Sequence, residues 1–92
     1  MMAMSERYLE ITYRKGKPLA AYLFLPRKTG DRSARTQRFS ESLVIDYAAD
    51  GRAIGIEIVH PQAVTEAEIN RALAQVNQSP LPDEEFAPLK AA

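Results

Sequence analysis

The sequence has 92 residues, the length of one domain, and a chain this short can bury only a thin core. Its twelve basic and twelve acidic residues give a formal net charge of zero, which argues against a dedicated nucleic-acid-binding protein. The absence of cysteine excludes disulfide bonds and cysteine zinc sites, and one histidine cannot form a multi-histidine metal centre. We therefore expect one small domain that binds neither a metal ion nor another cofactor.

The beginning of the chain contains no basic segment followed by a long apolar run, so we expect no signal peptide. The longest apolar run, residues 19–26, is shorter than the roughly 20 residues that a transmembrane helix needs. These features predict a cytoplasmic protein that does not bind membranes.

Two strands are predicted at the start of the domain. Alternating apolar residues predict a half-buried strand over Tyr8–Arg14, followed by a turn of three or four residues and a second strand over residues 19–25. The second strand is apolar on both faces, because Tyr22 and Phe24 alternate with leucine and alanine, and such strands are usually covered on both sides. In so small a domain we expect a second copy of the chain to provide one cover. Tyr22 and Phe24 are therefore the predicted homodimer contact.

A basic segment follows, over residues 27–38. It lies in a predicted polar loop, residues 26–34, and a short edge strand, residues 35–39. Arg32, Arg35 and Arg38 are suited to contact phosphate groups, which makes nucleic-acid binding the alternative function. The competing interpretation is a solvated loop, since no aromatic side chains alternate with these arginines to stack on bases.

Residues 43–59 predict a β-hairpin. Asp50-Gly51 is typical of a two-residue type I′ turn, in which both residues have positive φ. Since side chains alternate between the two faces of a strand, this turn brings the large apolar residues onto one face. They are Leu43, Ile45, Tyr47, Ile54, Ile56 and Ile58. Asp46 and Glu57 are predicted to lie on the opposite face as diagonal neighbours.

The last predicted element is a helix over residues 65–77. Thr65 and Glu68 have the spacing of a capping box, in which each side chain accepts a hydrogen bond from the other residue's backbone N–H. An apolar stripe along the helix is suited to lie on the sheet, and it consists of Ile69, Ala72, Leu73 and Val76. The predicted fold is α+β: an antiparallel β-meander of four to five strands with one C-terminal helix packed on one face.

The predicted domain covers residues 1–79, and residues 80–92 are predicted to form an extended or disordered tail. Acidic residues and prolines surround three apolar residues in this tail, Leu81, Phe86 and Leu89. Such a segment could dock on a basic, partly apolar surface of another protein or of a second copy. A tail without a role is the alternative.

Residues 45–58, IDYAADGRAIGIEI, resemble the signature DYDxDGxxxGIEI of a bacterial family named domain of unknown function 2283. Residues 11–13 and 20–25, ITY and AAYLFL, are similar to the family's preceding hairpin, ITYDxxxDALYIxL. The resemblance spans about residues 8 to 59 and implies a small β-rich fold with a terminal helix and no established activity. Some relatives look like antitoxin-like partners of small toxins. The chain departs from the pattern at Ala48 and at residues 14–17, where the family has acidic residues.

Asp46 and Glu57 are the candidate chemical groups. Two neighbouring carboxylates are suited to acid–base catalysis or to a divalent cation. The competing interpretation is a solvated or interfacial face on which these acids pair with Arg14, Arg35 or Arg38. Because the sequence supplies no evident nucleophile or third ligand, we expect no enzyme. The lone His60 is equally a poor candidate for catalysis or metal binding.

The function predicted from these features is a non-catalytic protein-binding or assembly module. We expect it to form a homodimer. A more specific hypothesis is that it is the antitoxin-like member of a small two-protein system whose other member is a basic protein. Nucleic-acid binding through residues 27–38 is the alternative, and a carboxylate-based enzyme is a distant third. The predicted interaction surface consists of Tyr22, Phe24, Arg32, Arg35, Arg38, Asp46, Glu57 and Phe86.

Overall fold

The structure, a computed structural model, describes residues 6–90, so the beginning of the chain, where we expect no signal peptide, lies outside the described residues. Within this range the chain forms five strands: β1 (Tyr8–Arg14), β2 (Lys17–Phe24), β3 (Arg35–Arg38), β4 (Leu43–Tyr47) and β5 (Ala53–Ile58). They make one antiparallel sheet in the order β1-β2-β5-β4-β3. The α+β class is therefore confirmed. The sheet is meander-like, but β2 pairs with β5 instead of with β3.

The first hairpin has a two-residue turn, since Arg14 pairs with Lys17. Lys15 and Gly16 have φ values of 52° and 79°, the positive values that a type I′ turn requires at both positions. The prediction of a turn of three or four residues was wrong. The tight turn follows because a glycine and one residue that tolerates positive φ are sufficient to reverse the chain.

The second hairpin has the predicted core pairing but a different turn. Leu43 pairs with Ile58 and Ile45 with Ile56, as predicted. In the turn, only Gly51 has positive φ, at 93°, and its N–H donates to the Ala48 carbonyl at 2.9 Å. This is a type I turn followed by a glycine, so the type I′ prediction was wrong. The Asp50-Gly51 dipeptide folds this way because only the glycine has to adopt positive φ.

The longer turn shifts the register next to it. The pairing slips between Asp46 and Tyr47, so that Tyr47 faces Ala53 instead of Ile54. As a result Ala53 packs against the core cluster, whereas Ile54 is buried but lies outside that cluster. The predicted pairing of Tyr47 with Ile54 was therefore wrong, and Ala53 takes that place in the register.

Helix α1 (Glu66–Gln75) covers one face of the sheet. Thr65 caps its N-terminus by accepting a hydrogen bond from the Glu68 N–H at 3.1 Å, as predicted. The Glu68 carboxylate does not complete the capping box, because it accepts a hydrogen bond from the Ser40 hydroxyl. The helix ends at Gln75, and beyond it the φ of 62° at Asn77 lets the Gln78 N–H donate to the Leu73 carbonyl at 2.8 Å.

The segment after α1 is folded onto the same face of the sheet. It forms α2 (Asp83–Phe86) and a 3₁₀ turn (Ala87–Lys90). Leu81 and Leu89 are fully buried in the core, and the Leu81 N–H donates to the Asn70 side chain at 2.8 Å. Over residues 80–90 the prediction of an extended or disordered tail was therefore wrong.

A single C-terminal helix on one face is likewise not confirmed, because two helices and the 3₁₀ turn share the covering of the sheet. The ten-residue α1 contacts β4, while the 3₁₀ turn contacts β2, on the other half of the same sheet face. Five strands are too wide for one short helix, so the apolar tail residues complete the core. No helix in residues 6–90 is both long enough and apolar enough to span a bilayer.

Candidate functional site

The sheet face opposite α1 and the tail is called the open face here. The strand register places two rows of side chains across it, from β1 to β3. The upper row is Tyr8, Phe24, Gly55, Asp46 and Thr36, and the lower row is Glu10, Tyr22, Glu57, Val44 and Arg38. The two predicted dimer residues and the two predicted carboxylates therefore all lie on this one face.

Three aromatic side chains form a cluster on the open face. Tyr8 stacks on Phe24 with the ring centres 4.5 Å apart, and Tyr22 meets Phe24 edge to face at 4.6 Å. The Arg27 guanidinium lies 5.0 Å from the centre of the Phe24 ring. Tyr22 and Phe24 remain partly exposed, and Tyr8 is 51% exposed. This cluster therefore places partly exposed aromatic surface on the open face.

Tyr8 and Arg27 belong to this site although the sequence did not identify them. Tyr8 on β1 pairs with Phe24 on β2. Tyr8 could have been identified from the sequence only if the register of the first hairpin had been predicted. Arg27 follows β2 and turns back over the sheet, where its Nη2 donates to the Ile54 carbonyl. Sequence periodicity does not predict that a side chain from a loop will fold back over the sheet in this way.

Tyr22 crosses the middle strand of the sheet to reach Asp46. Its hydroxyl donates to the Asp46 carboxylate at 2.7 Å and accepts from Arg27 Nη2 at 3.4 Å. The path passes directly over Gly55: a Cβ atom at that position would lie 1.9 Å from the Tyr22 hydroxyl oxygen. Gly55 is therefore required by the tyrosine that lies on it.

Burial, together with the hydrogen bond to Asp46, raises the pKa of Tyr22 to about 12 from its ordinary 10.0. Since the folded state holds the proton more tightly than the unfolded state, neutral Tyr22 stabilises the fold fully below pH 10. That contribution is expected to disappear as the pH rises from 10 to about 12. In a spectrophotometric titration, one tyrosinate component should appear near pH 12. Tyr22→Phe should remove it and Tyr13→Phe should retain it; a component that persists in Tyr22→Phe would contradict this assignment.

Asp46 and Glu57 share the open face but do not form a free carboxylate pair. Asp46 accepts the Tyr22 hydrogen bond, whereas Glu57 is exposed next to Tyr22 in the lower row. The pairing of these acids with Arg14, Arg35 or Arg38 was wrong, because the ion pairs within residues 6–90 join Arg52 to Asp31 and to Asp50. Arg35 lies 4.1 Å from the centre of the Tyr47 ring, and Arg38 Nη1 donates to the carbonyls of Ser40 and Glu41, both at 3.0 Å. Within residues 6–90, no group of three or more potential ligand side chains is placed to hold a metal ion.

The basic segment 27–38 is tied to the rest of the domain at Asp31. The Asp31 carboxylate accepts a hydrogen bond from the Lys28 N–H at 2.8 Å and two from the Arg52 guanidinium, at 2.8 and 3.0 Å. The hydrogen bonds from Arg52 hold the pKa of Asp31 below its usual value. Arg32 is exposed just beyond this anchor. Nucleic-acid binding through this segment stays a prediction.

Phe86, the remaining residue of the predicted interaction surface, lies on the far side of the sheet. It packs against the core from α2, and Lys90 Nζ lies 5.8 Å from the centre of its ring. Lys90 also donates to the carbonyls of Pro61 and Gln62, both at 3.1 Å. Phe86 therefore helps to hold the tail in place and does not share a surface with Tyr22 and Phe24.

Residues 20–60 match the model of a family described as protein of unknown function (DUF2283). This segment belongs to the DUF2283 family. The resemblance stated from the sequence is thus confirmed over the part of the chain from β2 to just beyond β5. The DUF2283 segment contains Tyr22, Asp46 and Gly55, the three residues that form the contact across β5, but neither Tyr8 nor α1. No curated protein and no solved structure matches the chain.

Proposed function

We propose that the chain is a non-catalytic protein-binding or assembly module that uses its open face. The observation that carries this proposal is the aromatic cluster of Tyr8, Tyr22 and Phe24 on a sheet face that the domain's own helices leave uncovered. Aromatic side chains are enriched in protein interfaces because they bury a large area with little loss of conformational entropy. A second protein that covers this face would complete the packing of β2 on both sides.

The non-catalytic part of the proposal is supported by how the carboxylates are used. Asp46 Oδ2 accepts the hydrogen bond of the Tyr22 hydroxyl, and the raised pKa of Tyr22, about 12, keeps this proton on the tyrosine near neutral pH. The evident effect of this hydrogen bond is to fix the Tyr22 ring in one position. A fixed aromatic ring favours binding, since less freedom is lost when a partner contacts it.

The proposed partner is a second copy of the chain. The open face has charges of both signs at its rim, with Glu10 on β1 and Arg38 on β3, as a self-complementary surface requires. The antitoxin-like role is the narrower proposal, in which a small basic protein occupies the same face beside Glu10 and Glu57. The immediate neighbour of the coding gene tests that role, because a small basic toxin-like product would support it.

Site-specific photo-crosslinking in cells tests the proposal. Replacing Phe24 with p-benzoylphenylalanine should give a covalent adduct to a protein upon illumination, because the probe lies within the aromatic cluster of the open face. The matched control is the same replacement at Tyr13, an aromatic residue that is 51% exposed and lies outside the aromatic cluster. Adducts at neither position, or at both positions equally, would contradict protein binding through the open face.

A further inference from the structure

Two acidic side chains flank Tyr22 on the open face. Glu10 on β1 and Glu57 on β5 both pair with Tyr22 on β2, so the three residues are neighbours in the lower row. The Tyr22 side chain leans away from this row, over Gly55 toward Asp46. Because neighbouring strands are about 4.8 Å apart, the two carboxylates are attached roughly 10 Å from each other. Between them lies a shallow depression of about 180 Å³ that Thr12 and Ala20 also line. A planar cation could enter this depression, lie against Tyr22 and contact both acids.

The same chain carries a side chain of this kind in the same row. Arg38 on β3 lies three strands from Tyr22, in the order Tyr22, Glu57, Val44 and Arg38. We propose that two copies of the chain pack open face to open face, with Arg38 of each copy seated on Tyr22 of the other, between Glu10 and Glu57. This inference rests on the proposed function and specifies the partner, the symmetry and the contacts.

The spacing of the row determines where the two-fold axis lies. An axis parallel to the strands, between β4 and β5, brings Arg38 of one copy over Tyr22 of the other and satisfies both contacts at once. It also places Glu57 over Val44 of the second copy. An axis through β5 itself would set the two Glu57 carboxylates against each other, which is unfavourable for like charges. Four strands of each sheet then overlap, and β1 extends beyond them to supply Glu10.

The present contacts of Arg38 are compatible with this role. Its Nη1 donates to the carbonyls of Ser40 and Glu41, which holds one edge of the guanidinium. A guanidinium has five N–H donors in one plane, so its Nε and Nη2 edges can face two carboxylates while Nη1 keeps these bonds. Arg38 is exposed in the single chain, and the contact therefore needs no rearrangement of the core.

Charge reversal tests the arrangement, with dimer dissociation measured by sedimentation velocity. Arg38→Glu should weaken the dimer at least about a hundredfold, since two charge contacts per dimer become repulsive. The double variant Glu10→Lys with Glu57→Lys should weaken it similarly. An equimolar mixture of the two variants should restore a heterodimer close to the affinity of the unmodified protein. In that heterodimer, one contact is the original one and the other is the same pair with its charges exchanged.

Arg32→Glu is the matched control, because Arg32 is an exposed arginine of the same basic segment that is absent from the two rows of the open face. It should leave the dimer unchanged. A monomeric unmodified protein, or variants that dimerise normally, would overturn the inference. So would a mixture that fails to associate although each variant is folded. If the Phe24 probe still forms adducts while the charge variants have no effect, the proposed function stands and only this arrangement is wrong.

Discussion

Leu89→Ala is expected to lower the free energy of unfolding by about 2–5 kcal/mol, the cost of truncating a buried leucine to alanine. Leu89 is fully buried, although it lies in a 3₁₀ turn at the end of the described chain. Its 3₁₀ turn packs on β2, whereas α1 packs mainly on β4. Because small domains have only about 5–15 kcal/mol of total stability, this one substitution should remove a large share of it.

Leu19→Ala is the matched control for that measurement. Leu19 lies in β2 but is 52% exposed, so its truncation should change the free energy of unfolding by less than about 0.5 kcal/mol. Urea denaturation followed by circular dichroism measures both variants. If Leu89→Ala were as mild as Leu19→Ala, the tail would not belong to the core, and an independent docking segment would again be the better description.

The tail shows what periodicity in a sequence does not reveal. Its apolar residues are spaced irregularly among prolines and acids, a pattern that has neither the period of a helix nor that of a strand. Its fold is determined by the width of the five-stranded sheet, because a ten-residue helix cannot cover the whole sheet. Leu81 and Leu89 are buried because that space exists, and the space is a property of the tertiary structure.

The hairpins also combine features that the sequence predicts with features that it does not. The face pattern of β4 and β5 was predictable from alternation, and Ile45 and Ile56 do face the same core. Turn type was less predictable, because Asp-Gly is compatible with both a two-residue loop and a type I turn followed by glycine. The structure has the second, and Lys15-Gly16 instead forms the tight turn.

Four residues of the candidate site were predictable from the sequence, but their contacts were not. Alternation alone placed Tyr22 and Phe24 on one face of β2, and Asp46 and Glu57 on one face of the second hairpin. That these two faces are the same surface depends on the pairing of β2 with β5, two strands that are not consecutive in the chain. The hydrogen bond between Tyr22 and Asp46 depends on this pairing. The need for glycine at position 55 depends on it too, because the Tyr22 ring lies on that residue.

Gly55→Ala is expected to destabilise the fold by about 1–3 kcal/mol, the usual cost of forcing extra atoms into a packed site. A Cβ atom at this position would lie 1.9 Å from the Tyr22 hydroxyl oxygen and 2.3 Å from the adjacent ring carbon, so the ring must leave its place. Its displacement breaks the hydrogen bond to Asp46 and the edge-to-face contact with Phe24.

A double-mutant cycle with Tyr22→Ala tests whether the clash with the Tyr22 ring causes the destabilisation by Gly55→Ala. Once the ring is absent, Gly55→Ala should cost less than about 0.5 kcal/mol, or should even stabilise, since alanine is better than glycine in a strand by roughly 0.5–1 kcal/mol. Urea denaturation at low protein concentration keeps dimerisation out of the comparison. If instead glycine served only the close approach of a second chain, Gly55→Ala would weaken the dimer and leave the stability of the single chain unchanged. An equal cost in both backgrounds would show that Tyr22 is not the reason for the glycine.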